Sequence, residues 1–157
     1  MRVSGTFKRT MISKGPEETL AIARRIGKRL KAGDILALKG GLGGGKTHFV
    51  KGLALGLKTF RPQDVRSPTF ALIHEYKGKP PLCHADLYRL KPSEVFGLGL
   101  EEYWEAAGRW VVAVEWADRA PRLIPKGALW IAFKMISPTS RRITFSGDAA
   151  WKKYCLP

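Results

Sequence analysis

The fold is decided by the stretch Gly40-Gly41-Leu42-Gly43-Gly44-Gly45-Lys46-Thr47, which fits the pattern G-x-x-x-x-G-K-[ST]. Because glycine has no Cβ, successive backbone N–H groups can turn inward and form a nest for phosphate oxygens. Lys46 adds a cation for the β- and γ-phosphates, and the Thr47 hydroxyl is a ligand for Mg²⁺. The stretch 40–47 is therefore a candidate phosphate-binding loop, or P-loop.

The residues on either side of this loop predict the context that a phosphate site requires. Before it, residues 35–38 are continuously apolar and predict a buried strand. After it, residues 47–54 carry apolar side chains at helical spacing, so a helix begins where the loop ends. The positive end of that helix would point at the phosphates. Strand, loop and helix together predict nucleotide binding rather than an ordinary glycine-rich turn.

Length and composition indicate a single globular domain. The 157 residues are enough for one domain over 1–157, with the C-terminal residues from about 148 onward expected to form a loose tail. The sequence has no apolar run of membrane-spanning length, and its first residues lack the apolar core of a signal peptide. Two cysteines, Cys83 and Cys155, are too few for a disulfide scaffold. We expect a cytoplasmic protein with no membrane contact.

The chain is strongly basic, with a formal net charge of +15. Such a charge favours polyanionic partners, including nucleotides, RNA and acidic protein surfaces, although it is also compatible with a merely soluble basic surface. The lysines and arginines are dispersed in pairs and triplets, with no aromatic-interleaved run of the kind found in RNA-recognition motifs. Direct RNA binding stays open as a secondary property.

Alternating and helical patterns predict the remaining elements. Two strands joined by the turn 77–81 suggest an antiparallel hairpin. The apolar run 110–115 ends in an acid and is typical of a central parallel strand. The predicted elements are an edge strand within 2–12, a helix opening at 13–18 and continuing to residue 30, hairpin strands 67–76 and 82–88, broken helical pieces over 93–107, strand 110–115, and closing strands 128–136 and 141–145.

A P-loop site needs an acid that holds Mg²⁺ beside the Thr47 hydroxyl. That acid usually lies at the carboxyl end of a buried strand next to the P-loop strand. Glu115 occupies such a position at the end of the run 110–115. We predict that Glu115 binds Mg²⁺, the alternative being a carboxylate that only terminates a strand.

Two further polar residues are candidates for the hydrolytic chemistry. Asp86 lies in an apolar setting, and His84 precedes it on the same strand face. Asp86 could position the attacking water or bind metal, or it could instead pair with Arg89. Thr69 could act as a switch-type hydroxyl that senses the γ-phosphate, or as a strand-entry cap in Ser67-Pro68-Thr69.

Four motifs in this order resemble the TsaE family, also called YjeE, which are bacterial P-loop ATPases required for threonylcarbamoyl-adenosine modification of tRNA. One position departs from the family pattern, since Gly41 stands where the family usually carries Asp. The motifs are the loop 40–47, Ser67-Pro68-Thr69-Phe70-Ala71-Leu72, His84-Ala85-Asp86-Leu87-Tyr88-Arg89-Leu90 and Val114-Glu115-Trp116, and the resemblance covers essentially residues 10–145.

The resemblance implies a small α/β P-loop fold with a mixed sheet flanked by helices, and ATP with Mg²⁺ as ligands. It also implies an ATPase partner of the TsaB–TsaD pair, in which TsaD transfers threonylcarbamoyl to adenosine 37 of tRNA. Proximity of this chain to tRNA is suggested by its basic charge. Carried over by position, Lys46 and the loop amides bind phosphates, Thr47 and Glu115 bind Mg²⁺, and Asp86, Lys46 and Thr69 serve hydrolysis. Trp116 would contact the nucleotide or partner, unless it only packs in the core.

Two other interpretations of the sequence compete with a TsaE-like ATPase. A small P-loop kinase would use the same loop and magnesium acid, but it would also need an arginine-rich lid and an acceptor pocket, which the sequence does not reveal. A basic RNA-binding module could carry a nucleotide site that is only regulatory.

Overall fold

A seven-stranded mixed sheet organises the computed structural model, which describes residues 5–68, 71–105 and 108–156. The strands in chain order are β1 Thr6–Ser13, β2 Ile35–Gly40, β3 Ile73–Tyr76, β4 Leu82–Asp86, β5 Val111–Glu115, β6 Leu129–Met135 and β7 Arg141–Asp148. Their order across the sheet is β1-β7-β6-β2-β5-β4-β3. The P-loop strand β2 is therefore the middle strand.

The four central strands β4, β5, β2 and β6 run parallel to one another. The outer strands β3, β7 and β1 pair antiparallel to their neighbours. This confirms the expected α/β class with a mixed sheet, the β3–β4 hairpin and the central position of β5. Because the parallel strands all end at one edge of the sheet, the residues that follow them collect there.

Helices cover both faces of the sheet. The helices are α1 Pro16–Gly27, α2 Lys46–Leu57, α3 Pro92–Val95, α4 Glu101–Glu105 and α5 Lys152–Cys155, with 3₁₀ turns at Pro62–Asp64, Phe96–Leu98, Ala117–Arg119 and Ala149–Trp151. Helix α1 begins with a proline at its first turn and two glutamates beside the positive end of its dipole. None of the helices within the described ranges is long and apolar enough to cross a membrane.

Helices α1 and α2 lie side by side in close contact. A Cβ at Gly52 would lie 2.5 Å from the Ala23 Cβ, and one at Gly27 would lie 2.5 Å from the Leu53 carbonyl oxygen. A Cβ at Gly56 would collide with the Arg24 carbonyl oxygen. Glycines at these positions let the two backbones approach, and both helices begin at the P-loop end of the sheet.

The hairpin strand β3 is shorter than predicted. Of the predicted strand 67–76, only Ile73–Tyr76 is a strand, and residues 69–70 lie outside the described residues. Leu72 has a left-handed φ of 66°, and its N–H donates to the Pro68 carbonyl oxygen over 2.7 Å. The chain therefore turns immediately before β3, which explains why strand pairing cannot extend back to Ser67.

The prediction of a loose C-terminal tail is wrong for the residues up to 156, which the structure describes. Residues 149–155 form a helical segment in which Trp151, Tyr154 and Cys155 are buried against the core on the α1 side. The Trp151 indole N–H donates to the Gly127 carbonyl oxygen over 2.8 Å. The Arg29 guanidinium ties the segment to α1 by donating to carbonyl oxygens of Lys153, Tyr154 and Leu156.

Candidate nucleotide site

The P-loop joins the end of β2 to the first residue of α2, as predicted. Gly40, Gly43 and Gly45 have positive φ values of 146°, 70° and 96°, a backbone region that favours glycine. A Cβ at Gly40 would also lie 2.6 Å from the Phe133 carbonyl oxygen on β6. The glycines are thus required by the path of the loop, and α2 begins where a bound anion would face its N-terminus.

Lys46 lies within the loop with only 4% of its surface exposed. Its Nζ donates to the carbonyl oxygens of Gly40 and Gly41, each over 2.7 Å, and lies 4.4 Å from the centroid of the Trp116 ring. Burial lowers the pKa of Lys46, and the nearby carboxylates, Glu115 foremost, oppose that shift. The two backbone carbonyls thus hold the ammonium group against the loop.

Glu115 and Thr47 meet across the strand–helix boundary. β5 is a direct neighbour of β2 and places Glu115 opposite Leu38. The Thr47 hydroxyl donates to Glu115 Oε1 over 2.7 Å, and Nε2 of His84 lies 2.9 Å from the same oxygen. Since Thr47 donates its hydrogen to Glu115, the lone pairs of its oxygen are free to bind a cation.

Asp86 lies beside Glu115, because β4 and β5 place these two residues directly opposite each other. Asp86 Oδ2 accepts a hydrogen bond from the Ser67 hydroxyl over 2.7 Å, and Oδ1 accepts one from the Tyr88 backbone N–H over 2.9 Å. The structure therefore brings Asp86 into the site and also gives it an anchoring role for the adjacent loops.

The structure describes the surroundings of only one of the two remaining predicted residues, Trp116 and Thr69. Trp116 follows β5 in a left-handed conformation, with φ of 57°, and its ring lies 4.8 Å from that of Tyr88. The Arg119 guanidinium lies 5.7 Å from the centroid of each ring. Trp116 thus lines the site, whereas Thr69 lies outside the described residues and its switch role stays a prediction.

These groups surround one open cavity of about 680 Å³. That size lies within the usual range for sites that bind small molecules and cofactors. The lining residues are Leu42, Gly43, Gly44, Gly45, Lys46, Thr47, His48, Lys51, Val65, Arg66, Ser67, Asp86, Tyr88, Glu115 and Trp116. Cations from Lys46, Lys51 and Arg66 face two carboxylates, an arrangement suited to a nucleotide polyphosphate with a metal ion.

The sequence matches the family described as "Threonylcarbamoyl adenosine biosynthesis protein TsaE" over residues 13–143. The chain belongs to the TsaE family. Its relatives include the protein of Bacillus subtilis (strain 168) named "tRNA threonylcarbamoyladenosine biosynthesis protein TsaE", which is 46% identical over 132 residues, or 83% of this chain and 80% of the relative. A protein of the same name from Nostoc sp. is 48% identical over 108 residues, or 67% of this chain and 65% of the relative.

A solved structure of similar fold supports the same assignment. The crystal structure of Bacillus subtilis YdiB matches with a TM-score of 0.77 and 36% sequence identity. The match covers 96% of this chain and 93% of YdiB.

Magnesium fits the oxygen ligands that this TsaE chain offers. Mg²⁺ is usually held by one or two carboxylates, with phosphates and water completing its shell. Glu115 and the Thr47 hydroxyl are such ligands and touch each other. Across the described ranges there is no cluster of three or more His, Cys, Asp or Glu residues that could hold a metal by itself. The residues present therefore suit a cation that arrives together with phosphate oxygens.

Gly41, the departure from the TsaE pattern, occupies an open position. A Cβ there would meet no atom within 4 Å, and its φ is outside the left-handed region. The Gly41 carbonyl oxygen accepts hydrogen bonds from Lys46 Nζ and from the Gly44 N–H. The local space would therefore accommodate the usual aspartate, and glycine is not required sterically at this point of the loop.

One arginine that was not predicted from the sequence supports the loop. Arg141 Nη2 donates to the Gly43 carbonyl oxygen over 3.0 Å, while Nη1 donates to Ser137 and Pro138 carbonyl oxygens in the β6–β7 turn. No local pattern marks Arg141, because its partner in the loop lies 98 positions away in sequence. Ser67 and Tyr88, which hold Asp86, could have been suspected from the motifs that contain them.

Proposed function

We propose that this chain binds ATP with Mg²⁺ at the P-loop edge of its sheet and hydrolyses it. In this proposal the chain is the ATPase partner of the TsaB–TsaD pair in the threonylcarbamoyl modification of adenosine 37 of tRNA. The main supporting observation is that Lys46, Thr47 and Glu115 converge on one cavity beside a glycine-rich loop at a helix N-terminus. The names of the relatives support a role of the chain in this pathway.

In this proposal, the residues of the site have separate roles that follow from their chemistry. The loop amides and Lys46 bind the β- and γ-phosphates, and Lys46 exchanges its two carbonyl partners for phosphate oxygens. Thr47 and Glu115 hold the metal, which when bound neutralises charge on the phosphate oxygens. Asp86, fixed by Ser67 and Tyr88, orients the attacking water and accepts its proton.

The partner proposal rests on the open shape of the site. Leu42, at the tip of the loop, is 67% exposed although it is apolar, and the cavity beside it is open to solvent. P-loop enzymes often receive a final stabilising group from a partner protein. The nucleotide edge would accordingly face the TsaB–TsaD pair, and the isolated chain would be a slow ATPase.

Phosphate release with and without purified TsaB and TsaD tests this function. We expect slow release by the chain alone and a higher rate when both partners are added. Release in the absence of any small-molecule acceptor would disfavour a kinase. Equal rates with and without the pair would contradict the partner proposal, and no release under either condition would contradict the ATPase proposal.

Proximity to tRNA is supported by a basic surface, formed by Arg24, Arg25, Lys28, Lys152 and Lys153 and here called the basic face. All five side chains are exposed, and Arg29 joins α1 to the C-terminal segment that carries the two lysines. Within the described ranges, Arg24, Arg25 and Lys28 have no carboxylate partner at ion-pair distance.

The basic face lies toward the end of α1 that is remote from the P-loop. Helix α2 has 12 residues and therefore spans roughly 17 Å from the P-loop to its C-terminus, where it meets the end of α1 that carries Lys28. RNA could thus approach one end of the molecule while the nucleotide edge faces a protein partner. The proposed location of this chain is the cytoplasm, since its two unpaired, buried cysteines suit a reducing compartment.

Filter binding of tRNA across a salt series tests this surface. If Arg24 and Arg25 contact phosphates, the double variant R24A/R25A should bind more weakly and show a shallower dependence of log affinity on log salt than the wild type. The variant R61A is a control for the loss of one exposed cation, because Arg61 is exposed but paired with Asp64. Equal slopes for the wild type and R24A/R25A would exclude the basic face as an RNA contact.

A further inference from the structure

A buried histidine lies behind the carboxylate proposed to hold the metal. His84, on β4, has 0% of its surface exposed, and its Nε2 lies 2.9 Å from Glu115 Oε1. The same oxygen accepts the Thr47 hydroxyl hydrogen over 2.7 Å. Two groups therefore hold Glu115 Oε1, one from the P-loop helix α2 and one from the neighbouring strand β4.

The chemistry of the two groups fixes the direction of the histidine hydrogen bond. An ionised carboxylate can only accept, so the hydrogen must lie on Nε2 of His84. The other ring nitrogen, Nδ1, is buried and has no hydrogen-bond partner among the described residues. A hydrogen on Nδ1 would be a buried donor without an acceptor, whereas the Nε2–H tautomer leaves the one ring hydrogen satisfied.

The surroundings of His84 argue against a simple space-filling role. On the same face of the sheet, Leu82 precedes it on β4 and Ala113 lies directly opposite it on β5, and both belong to the apolar core. A polar ring in this position costs desolvation that an apolar side chain would avoid. Its contact with Glu115 offsets that cost and distinguishes His84 from Leu82 and Ala113.

We infer that His84 is a positioning residue for magnesium binding. Its Nε2–H holds Glu115 Oε1 and so fixes the orientation in which the carboxylate meets Thr47 and the cation. This inference rests on the proposed metal role of Glu115. Partners behind metal ligands commonly change metal affinity by about 10–100-fold when they are removed, and the same range is expected here.

Glutamine and asparagine variants test the inference, because they place an amide nitrogen at different distances from the backbone. The Gln amide nitrogen in H84Q reaches the position of Nε2, whereas the Asn amide in H84N reaches only that of Nδ1. H74Q is the matched control, since His74 lies opposite His84 on β3 but its ring contacts Tyr76. Calorimetric titration of ATP, in EDTA and across a magnesium series, gives the readout.

We expect H84N to need about 10–100-fold more Mg²⁺ than the wild type for the same ATP affinity. ATP affinity in EDTA should be unchanged, H84Q should recover most of the loss, and H74Q should match the wild type. Equal magnesium requirements for H84N and the wild type would overturn the inference, as would equal losses with and without Mg²⁺. A wild type that shows no magnesium dependence would instead overturn the proposed function.

A measurement on the ligand-free wild type keeps the inference testable if the variants do not fold. The chain has three histidines, so ¹⁵N NMR can identify the His84 ring once the signals of His48 and His74 are assigned from their glutamine variants. We expect a fixed Nε2–H tautomer whose ring shifts change in E115Q. An Nδ1–H tautomer, or a mixture of the two tautomers, would refute the hydrogen bond on which the positioning role depends.

Discussion

The Thr47 hydroxyl donates to Glu115 Oε1 over 2.7 Å, although the two residues are 68 positions apart. Thr47 lies in the first turn of α2, and Glu115 ends the strand next to β2. The hydrogen bond therefore links the loop that would bind phosphate to the carboxylate that would bind the cation. It makes Glu115 the residue at which the proposed magnesium site is most directly tested.

Replacement of Glu115 by glutamine should raise the Mg²⁺ concentration needed for a given ATP affinity. The amide keeps an oxygen for Thr47 and His84 but removes the charge that attracts the cation. ATP titration calorimetry across a magnesium series measures the effect, with the exposed Glu102→Gln as control. An unchanged magnesium requirement would reduce Glu115 to a structural role.

Replacement of Lys46 by alanine should abolish hydrolysis and weaken ATP binding while the fold is retained. The variant removes the cation that the loop carbonyls hold and that would neutralise the β- and γ-phosphates. Lys39→Ala is the control, because Lys39 is exposed on β2 and lies over Trp130. Circular dichroism checks the fold, and near-normal phosphate release by the Lys46 variant would refute the P-loop assignment.

The part of the site that could be predicted from sequence is the part with a local signature. The glycines and lysine of 40–47 mark the loop, and a continuous apolar run that ends in an acid marks Glu115 on a central strand. Those signals are local because the backbone path and strand burial are set by neighbouring residues. The adjacency of β2 and β5 then follows from the α/β architecture.

The remainder depends on contacts that only the tertiary fold creates. Arg141 has no local signal, since its role comes from the meeting of the β6–β7 turn with the P-loop. The C-terminal segment is too short for a helical period to be read, so the burial of Trp151 could not be anticipated. The left-handed turn at Leu72 likewise shortens β3 in a sequence of high strand propensity.

Replacement of Asp86 by asparagine should separate binding from turnover. Asn keeps the shape of the side chain and can still accept the Tyr88 N–H, but it cannot take a proton from water. We expect ATP to bind and hydrolysis to fall by roughly 10²–10⁴-fold, as is typical for a lost acid or base. Calorimetry and single-turnover phosphate release measure the two quantities independently. Parallel loss of both would show that Asp86 is a metal ligand or an anchor for Ser67 instead.

Replacement of Gly56 by alanine should lower the stability of the fold. Alanine is the better helix former by about 1 kcal/mol, but its Cβ would collide with the Arg24 carbonyl oxygen where α2 contacts α1. Overpacking of this kind typically costs about 1–3 kcal/mol. Urea unfolding measures the change, with Gly97→Ala as control because a Cβ there meets no atom within 4 Å. A more stable Gly56 variant would mean that the two helices are not in close contact.

The C-terminal segment should protect Cys155 from thiol reagents. Burial raises the pKa of this thiol from 9.0 to about 12, so the thiolate fraction at pH 8 falls about a thousandfold below that of an unfolded chain. As the pH rises above 9, the thiol of the unfolded chain loses its proton before the thiol of the folded chain does, because the folded pKa is the higher of the two. The contribution of this group to the free energy of unfolding is therefore complete below pH 9 and decreases above it.

Alkylation with iodoacetamide at pH 8, followed by peptide mapping, measures the protection without any substitution. Both Cys155 and the buried Cys83 should react slowly in the native protein and rapidly in guanidinium, which provides the control. Helix α5 must open for Cys155 to react, so its labelling rate reports the opening of residues 149–155. Rapid labelling of Cys155 beside a protected Cys83 would show that this segment is loose in solution after all.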